Sequence, residues 1–466
     1  MRKNFSQRDI CELRNYIYLC RRLGGIAQLV EHLLCKQGVK SSNLFISTKD
    51  PVTLVTGSFF LLSLTMSILI RNVLLGSGRT NIFIDRGIIG KIGVPDDYPA
   101  AQIIEAEGFA IFPAFYNTHC HAAMTLLRGY ADDLPLQQWL QDYIWPYEDS
   151  LTDEDIERGS ETAIREMIRG GSVFFNDMYF GIDRTIRLVD SLGVRACIGI
   201  TVMDNHSQAV EDGKIDFVNH FVDPTGGRIT LAIAPHSVYT VGTAKLVRSA
   251  EWARNKGLKI HIHISETRKE VEDCLKEHGT TPVRYLDSIG FLGPDVVAAH
   301  CVHVDEEEWD ILAARGVTVS HCPCSNMKLG SGRFPYELAI RSGARITLGT
   351  DGASSNNSLD MREEMKFASL LAKCVSSRDD MTLVNQGDPA LLPASDVLRW
   401  ATANGAQAFG IDAGEIAEGK VADCILVDLK TERMTPCHNP VSNWVYSSTS
   451  DNVRAVICDG KIIWKI

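Results

Sequence analysis

Residues 109–121 read FAIFPAFYNTHCH, an apolar run that ends in polar residues and in two histidines two positions apart. This pattern is typical of a buried strand whose carboxyl end carries functional groups. Seven later runs have the same form, and each is followed by a segment able to form a helix; they are residues 172–179, 194–204, 230–236, 258–266, 296–303, 317–326 and 345–351. Eight βα units in series predict an α/β fold, a closed (β/α)8 TIM-like barrel.

The two ends of the chain differ from this repeat. Residues 66–107 and 407–466 contain short β-like runs, and we expect them to form one small β-sandwich, which leaves 108–406 for the barrel. Residues 1–65 resemble in part the peptide that a mistranslated transfer-RNA gene region would encode, so we predict a non-native or disordered extension before Met66. Residues 52–70 lack charge, but their second half alternates like a strand, so no membrane span is expected.

The overall composition is that of a globular enzyme. Hydrophobic residues make up 45% and charged residues 23%, and the net charge of -11 argues against a nucleic-acid surface, which needs clustered Lys and Arg. The 13 cysteines are scattered and several lie in apolar runs, as in reduced cytoplasmic proteins. A homo-oligomer is left open.

Metal-type side chains gather at the carboxyl ends of the predicted strands. His119 and His121 end the first strand, His263 lies near the end of the fifth, His300 lies in the sixth and Asp351 ends the eighth. Histidines that merely pack in a core would be scattered along their strands, whereas the strand ends of a barrel meet at one rim. The pattern therefore predicts a metal site at that rim.

Several features of this pattern leave alternatives. Alternation puts His261 on the same face as His263, and one of the two is expected to be a hydrogen-bonded core histidine. The fourth strand ends in His236 without a lysine that could bridge two metals, so one metal is favoured. Cys322 and Cys324 lack a partner pair and are expected to be structural.

Longer motifs connect these residues to a known family. Residues 117–129, 145–148, 234–237, 266–267 and 349–353 are similar to motifs of the amidohydrolase superfamily. Within it, the chain from about Met66 to the carboxyl terminus most resembles the 5-methylthioadenosine/S-adenosylhomocysteine deaminases. These enzymes hydrolyse the exocyclic amine of an adenine nucleoside to give the inosine analogue and ammonia.

The resemblance implies a role for each matching residue. The implied metal ligands are His119, His121, His263 and Asp351. The implied catalytic groups are Glu266, His300 and Asp351. Glu148, His236 and Glu266 would contact the substrate at the ribose hydroxyls, near the base and sugar, and at the purine ring respectively.

The cofactor expected from these donors is one divalent metal per subunit. Zinc suits mixed imidazole and carboxylate ligation, although iron or manganese would tolerate the same donors. The small-molecule partner is then a nucleoside: adenosine, 5-methylthioadenosine or S-adenosylhomocysteine.

The chain departs from the family pattern at the end of the third strand. Residues 200–204 contain no arginine that could bind the homocysteine carboxylate, although Lys214 and Arg228 follow. Two other interpretations remain: an amidohydrolase acting on guanine, a pterin or a chlorinated triazine, and a non-catalytic barrel that serves in assembly. Glu148 speaks against the first, because only a ribosyl group offers it two hydroxyls, and the complete ligand set speaks against the second.

Overall fold

The structure, a computed structural model, describes residues 67–374 and 388–466. The predicted extension, residues 1–65, lies outside the described residues. All the described residues fall in one compact unit. In this described part, no helix combines the length and the apolar character needed to cross a membrane.

The described residues form seventeen strands and sixteen α-helices. The strands are β1 Ile68–Leu75, β2 Gly78–Asp85, β3 Ile88–Ile92, β4 Gln102–Glu105, β5 Phe109–Pro113, β6 Phe115–His121, β7 Ser172–Met178, β8 Arg195–Val202, β9 Ile229–Pro235, β10 Lys259–Ile264, β11 Val296–His300, β12 Thr318–His321, β13 Arg345–Leu348, β14 Asp351–Gly352, β15 Cys424–Asp428, β16 Val453–Cys458 and β17 Lys461–Lys465. The helices are α1 Leu136–Trp139, α2 Trp145–Glu148, α3 Asp153–Gly170, α4 Ile182–Leu192, α5 Gln208–His220, α6 Thr243–Lys256, α7 Arg268–His278, α8 Pro282–Ser288, α9 Glu306–Ala314, α10 Pro323–Lys328, α11 Tyr336–Ser342, α12 Ala353–Asn356, α13 Met361–Cys374, α14 Ala394–Ala401, α15 Ala403–Ala408 and α16 Pro440–Tyr446.

The strands β6 to β14 form one parallel sheet that returns to its first strand. Neighbours from β6 to β13 pair in chain order, and β14 pairs with β6, with Asp351 opposite Cys120. Since only Gly349 and Thr350 separate β13 from β14, the two act as one interrupted eighth strand. Side chains support this closure, because Asn117 donates to the Thr350 hydroxyl over 2.7 Å. The predicted TIM-like barrel is confirmed.

The first predicted strand proves to be two strands with different partners. Residues 109–113 form β5, which pairs antiparallel with β15, whereas β6 begins at Phe115 and pairs with β7. The chain changes sheets at Ala114, after Pro113, whose ring lacks the N–H that a ladder requires. Six of the other seven runs correspond to a barrel strand to within about three residues, whereas in 317–326 the strand β12 ends at His321 and α10 begins at Pro323.

Both chain ends contribute to a second, eight-stranded sheet. Its strand order is β17-β16-β15-β5-β1-β2-β3, and β4 pairs with β1. Buried aliphatic residues from both ends pack together in this sheet, among them Ile70, Ile84, Leu426 and Ile457. The predicted mixing of amino- and carboxyl-terminal strands is thus present, whereas the two-layer sandwich stays a prediction.

A buried polar cluster joins this sheet to the barrel. The fully buried Asp423, just before β15, accepts hydrogen bonds from the Tyr116 hydroxyl of β6 and from Nε of Arg195 on β8, the latter over 3.0 Å. Arg195 also pairs with Asp459 at 2.8 Å. These contacts hold β6, which carries two of the predicted metal ligands, against the terminal sheet.

Candidate active site

A cavity of about 800 Å³ lies at the carboxyl ends of the barrel strands. The inner end of the cavity is lined by polar groups from five strand ends: His121, His236, His263, His300 and Asp351. Its walls come partly from residues 136–156, where α1, a π-helical turn at Leu140–Ile144 and α2 follow each other. Active sites of this barrel type lie on the same face.

The four predicted metal ligands lie side by side at the inner end. Asp351 Oδ1 is 3.2 Å from His119 Nε2 and 3.1 Å from His121 Nε2. His263 Nε2, from β10, lies 3.4 Å from His121 Nε2. The four side chains, which are far apart in the sequence, therefore point their ligand atoms at one small volume.

Hydrogen bonds to the outer ring nitrogens set the tautomers of these histidines. His121 Nδ1 donates to the Met178 carbonyl over 2.6 Å, and His263 Nδ1 donates to the His236 carbonyl over 2.7 Å. Because a carbonyl only accepts, each Nδ1 carries the proton and each Nε2 offers a lone pair to the centre. Two of the three imidazoles are thus held in the form that binds a metal.

The third imidazole, His119, is oriented by a histidine that the sequence left ambiguous. His119 Nδ1 lies 2.8 Å from His261 Nε2, and both side chains are fully buried. His261 therefore stands behind His119 rather than at the centre. His263 is the member of the pair on β10 that faces the cavity.

Asp351 is oriented by groups that sequence reasoning missed. Its Oδ2 accepts hydrogen bonds from Ser325 Oγ at 2.6 Å and from Ser355 Oγ at 2.9 Å, which leaves Oδ1 facing the histidines. Although burial raises its pKa, the neighbouring imidazoles of His119 and His121 hold the pKa of Asp351 well below its usual range. The carboxylate is therefore ionised, as a metal ligand must be.

The backbone at these strand ends is strained. Asp351 has a φ of 60°, His300 a φ of 71° and Ser265 a φ of 51°, all in the left-handed region that non-glycine residues avoid. Such conformations cost about 1–3 kcal/mol each and cluster at functional sites. Here they coincide with the positions where three strands deliver side chains to the cavity.

The donor set fits a divalent cation. His119 Nε2 is buried and makes no hydrogen bond within the described residues, although it faces the Asp351 carboxylate. An orphaned buried nitrogen normally costs about 1–3 kcal/mol, which a bound cation at this position would offset. Nitrogen and oxygen donors in this ratio suit Zn²⁺ and similar metals.

Two further polar groups, His300 and Glu266, lie beside the cluster. His300 Nδ1 bonds to Asn326 Oδ1 at 2.8 Å, so its Nε2 faces inward, where it is 3.8 Å from Glu266 Oε2. Glu266 is 4% exposed, and burial raises the pKa of its carboxyl group although Ser331 Oγ donates to Oε1 at 3.1 Å. A proton acceptor and a protonatable acid therefore stand next to each other.

The remaining predicted contact residues line the same cavity. His236 Nδ1 is bonded to Thr240 Oγ1 at 3.0 Å, and burial, together with neighbouring imidazoles, lowers the pKa of His236 to about 3. Glu148, at the end of α2, is half-buried, and burial raises its pKa to about 7. All the residues predicted from the sequence except His119 thus line one cavity, and the buried His119 lies directly behind it, 3.2 Å from Asp351.

Residues 321–326 contribute to the active site through residues other than Cys322 and Cys324. Cys322 is buried and belongs to neither of the two groups of metal-type side chains found in the described part of the chain. Its neighbours matter more, because Ser325 holds Asp351 and Asn326 holds His300. The only sequence signal for them is their position just after the seventh barrel strand.

Comparison with known proteins gives a consistent result. The chain matches the Amidohydrolase family over residues 110–463. It is 45% identical to the 5′-deoxyadenosine deaminase of Methanothermobacter thermautotrophicus over 368 residues, which cover 78% of this chain and 84% of that protein. It is 46% identical to the 5-methylthioadenosine/S-adenosylhomocysteine deaminase of Syntrophomonas wolfei, over 78% of this chain and 83% of the relative.

A solved structure is also similar. An adenosine deaminase from Xanthomonas campestris, crystallised with bound zinc, superposes with a TM-score of 0.78 and 33% identity, over 85% of this chain and 92% of that one. Since the family match spans most of the polypeptide and these relatives are similar over most of their length, the chain belongs to the amidohydrolase family.

Proposed function

We propose that this protein is a metal-dependent aminohydrolase that removes the exocyclic amine of adenine nucleosides, yielding the inosine analogue and ammonia. The observation that carries the proposal is the convergence of His119, His121, His263 and Asp351 beside Glu266 and His300 at the base of one cavity. The names of the similar proteins supply the substrate class, since all three act on adenosine or its 5′ derivatives.

In this proposal His119, His121, His263 and Asp351 hold one divalent metal, and zinc is the favoured ion because of the mixed imidazole and carboxylate donors. When bound, such a metal lowers the pKa of a water molecule to roughly 7 and so supplies a nucleophile at neutral pH. Hydrogen bonds hold the three imidazoles in position for the metal: His121 to the Met178 carbonyl, His263 to the His236 carbonyl and His119 to the ring of His261.

The proton transfers belong to side chains around the metal site. His300 accepts a proton from the attacking water at Nε2, helped by the ionised Asp351, since its Nδ1 is occupied by Asn326. Glu266 donates a proton to the purine ring nitrogen and makes the amine-bearing carbon electrophilic. Burial raises the pKa of Glu266 and so favours the protonated acid that this step needs. After the oxygen has added, the proton held by His300 passes to the amine, the carbon–nitrogen bond breaks and ammonia leaves, while the added hydroxyl returns a proton to Glu266.

The rest of the cavity positions the nucleoside. Glu148 accepts hydrogen bonds from the ribose hydroxyls, and His236 contacts the substrate near the base and sugar. The cavity volume of about 800 Å³ lies in the range of about 300–1,000 Å³ that small-molecule sites occupy, and it leaves room for a substituent at the 5′ carbon.

We also propose a domain arrangement, a cellular location and an oligomeric state for the enzyme. Residues 66–107 and 407–466 form a small β-sandwich domain beside the barrel of residues 108–406. Every cysteine in the described residues is free, which fits a reducing, cytoplasmic environment, and the net charge of -11 fits a protein without a nucleic-acid partner. A homo-oligomer is compatible with this arrangement.

The deciding experiment is ammonia release by the purified, metal-loaded protein from adenosine, 5′-deoxyadenosine, 5-methylthioadenosine and guanine. The proposal predicts ammonia release from the nucleosides and none from guanine. Removal of the metal by a chelator should abolish the release of ammonia. Turnover of guanine, a pterin or a chlorinated triazine without turnover of any adenine nucleoside would favour the alternative amidohydrolase function.

A further inference from the structure

The walls of the active-site cavity are rich in acidic and apolar side chains. Glu148, Asp149 and Asp204 contribute carboxyl groups to them, and Leu136, Trp139 and Trp145 contribute apolar surface. Among the described residues that line the cavity there is neither a lysine nor an arginine. A negatively charged group on a substrate would therefore find no cationic side chain of these two kinds.

Histidines do not replace the missing cations. His121, His236, His263 and His300 lie at the inner end, where the amine-bearing ring must sit. His206 lies in the wall near the end of β8, and burial together with the charges of Lys214 and Lys245 lowers its pKa to about 4. At neutral pH this imidazole is uncharged.

Two lysines contact that wall from behind, and both are engaged. Lys245 donates to Met203 O at 3.0 Å and pairs with Asp204 and Glu211. The other is Lys214. Its ammonium donates to Thr201 O at 2.6 Å, to Thr201 Oγ1 at 3.2 Å and to His206 Nδ1 at 3.1 Å. An ammonium has three protons, so these acceptors use all of them. Lys214 lines a separate cavity of about 230 Å³ behind Thr201 and His206.

Arg228, the other cation that follows the third barrel strand in the sequence, is on the wrong side of the barrel. It lies immediately before β9, at the amino-terminal end of the strand, whereas the active site lies at the carboxyl ends. Its guanidinium donates to the carbonyls of Val189 and Val194, the latter over 2.7 Å, and pairs with Asp190. It has no access to the cavity.

We propose that the cavity, in its proposed role as a nucleoside site, selects adenine nucleosides whose 5′ substituent carries no anionic group. The metal end takes the ring, so the 5′ substituent points towards the acidic and apolar walls. A carboxylate or phosphate there would lose water without gaining a partner and would face like charges. A hydrogen, hydroxyl, methylthio or longer alkylthio group loses little water and gains contact with Trp139 and its apolar neighbours.

A comparison of four substrates distinguishes the effect of charge in the 5′ substituent from the effect of its length. They are 5-methylthioadenosine, the 5′-butylthio analogue, S-adenosylhomocysteine and adenosine 5′-phosphate. The butylthio chain has the length of the homocysteine chain without its charged groups. We expect similar kcat/KM values for the two neutral thioethers, and values at least about tenfold lower for the two substrates that carry a carboxylate or a phosphate.

The outcomes distinguish this inference from the function on which it rests. Comparable kcat/KM for all four substrates would refute the selectivity and leave the deaminase function intact. A butylthio analogue as poor as S-adenosylhomocysteine would show that length rather than charge decides, and would also refute it. Absence of ammonia from every substrate would refute the function, and the inference with it.

Variants of the wall provide the closing test. Asn205 is an exposed wall residue, and N205K should raise kcat/KM for adenosine 5′-phosphate relative to 5-methylthioadenosine, whereas the neutral control N205Q should change both alike. K214M should not lower the ratio of S-adenosylhomocysteine to 5-methylthioadenosine turnover, because the ammonium contacts only Thr201 and His206. A selective loss of S-adenosylhomocysteine turnover in K214M would overturn the proposal, since Lys214 would then bind the carboxylate.

Discussion

Replacing Glu266 by glutamine separates proton donation from every other contribution of this residue. The amide has the size of the carboxyl group and its oxygen can accept the Ser331 hydroxyl, which lies 3.1 Å from Oε1. It also keeps an N–H that can hydrogen-bond to the purine ring. What it lacks is a proton that it can give up.

The expected fall in the activity of E266Q follows from the loss of this transferable proton alone. General acid catalysis contributes about 10²- to 10⁴-fold, which corresponds to about 2.7–5.4 kcal/mol in the activation free energy. Since Glu266 is buried beside His300 and is not among the proposed ligands, the metal content should stay at the wild-type level. We therefore expect kcat to fall by about 10²-fold or more with the metal retained.

The assay is steady-state ammonia release with elemental analysis of the same preparations. S331A is the matched control, because it removes a hydrogen bond that favours the ionised form of Glu266. Glu266 works while protonated, so activity is lost as the pH rises through its pKa. S331A should raise the pKa of Glu266 and shift the alkaline limb of the pH–activity profile to higher pH. Near-normal turnover of E266Q at full metal content would refute the assigned role.

Four further outcomes are expected. D351A should lose both metal and activity, so full metal occupancy in it would contradict its place as a ligand. Burial raises the pKa of Glu148 to about 7, so wild-type kcat/KM should fall as the pH drops through about 7 and the carboxylate is protonated, and E148Q should lack this acid limb. D423A removes the buried carboxylate that accepts from Tyr116 and Arg195, while Arg195 keeps its pairing with Asp459, and it should lower the free energy of unfolding by about 1–3 kcal/mol, measured by urea denaturation, while the folded protein still binds metal; an unchanged midpoint would contradict this. A chain that starts at Met66 should be soluble and fully active, and inactivity would show that residues 1–65 are required.

The barrel and the convergence at its rim could be predicted because both follow from short-range patterns. Each strand has its own apolar run and polar end, and parallel closure brings all the ends together. His119 and Asp351 are distant in sequence, yet the regularity of the barrel makes them neighbours.

Other features depend on partners that a local pattern does not contain. The apolar run through residues 109–116 is continuous, and the switch of sheets at Ala114 depends on pairing with the distant β15. Alternation places His261 and His263 on one face, and only the three-dimensional contact with His119 separates the supporting residue from the one that faces the cavity. Ser325 and Ser355 carry no periodic signal, and their role is visible only once both hydroxyls are seen on Asp351.

The most direct test of the metal centre is a crystal structure of the protein purified without added metal, with anomalous diffraction recorded on both sides of the zinc absorption edge. We predict one anomalous peak per subunit among His119, His121, His263 and Asp351, with metal–nitrogen distances of about 2.0–2.1 Å to the three Nε2 atoms. The expected peak would be absent below the edge if the ion is zinc, and present there if it is iron or manganese. A map without a metal among these four side chains, from crystals of active enzyme, would contradict the account.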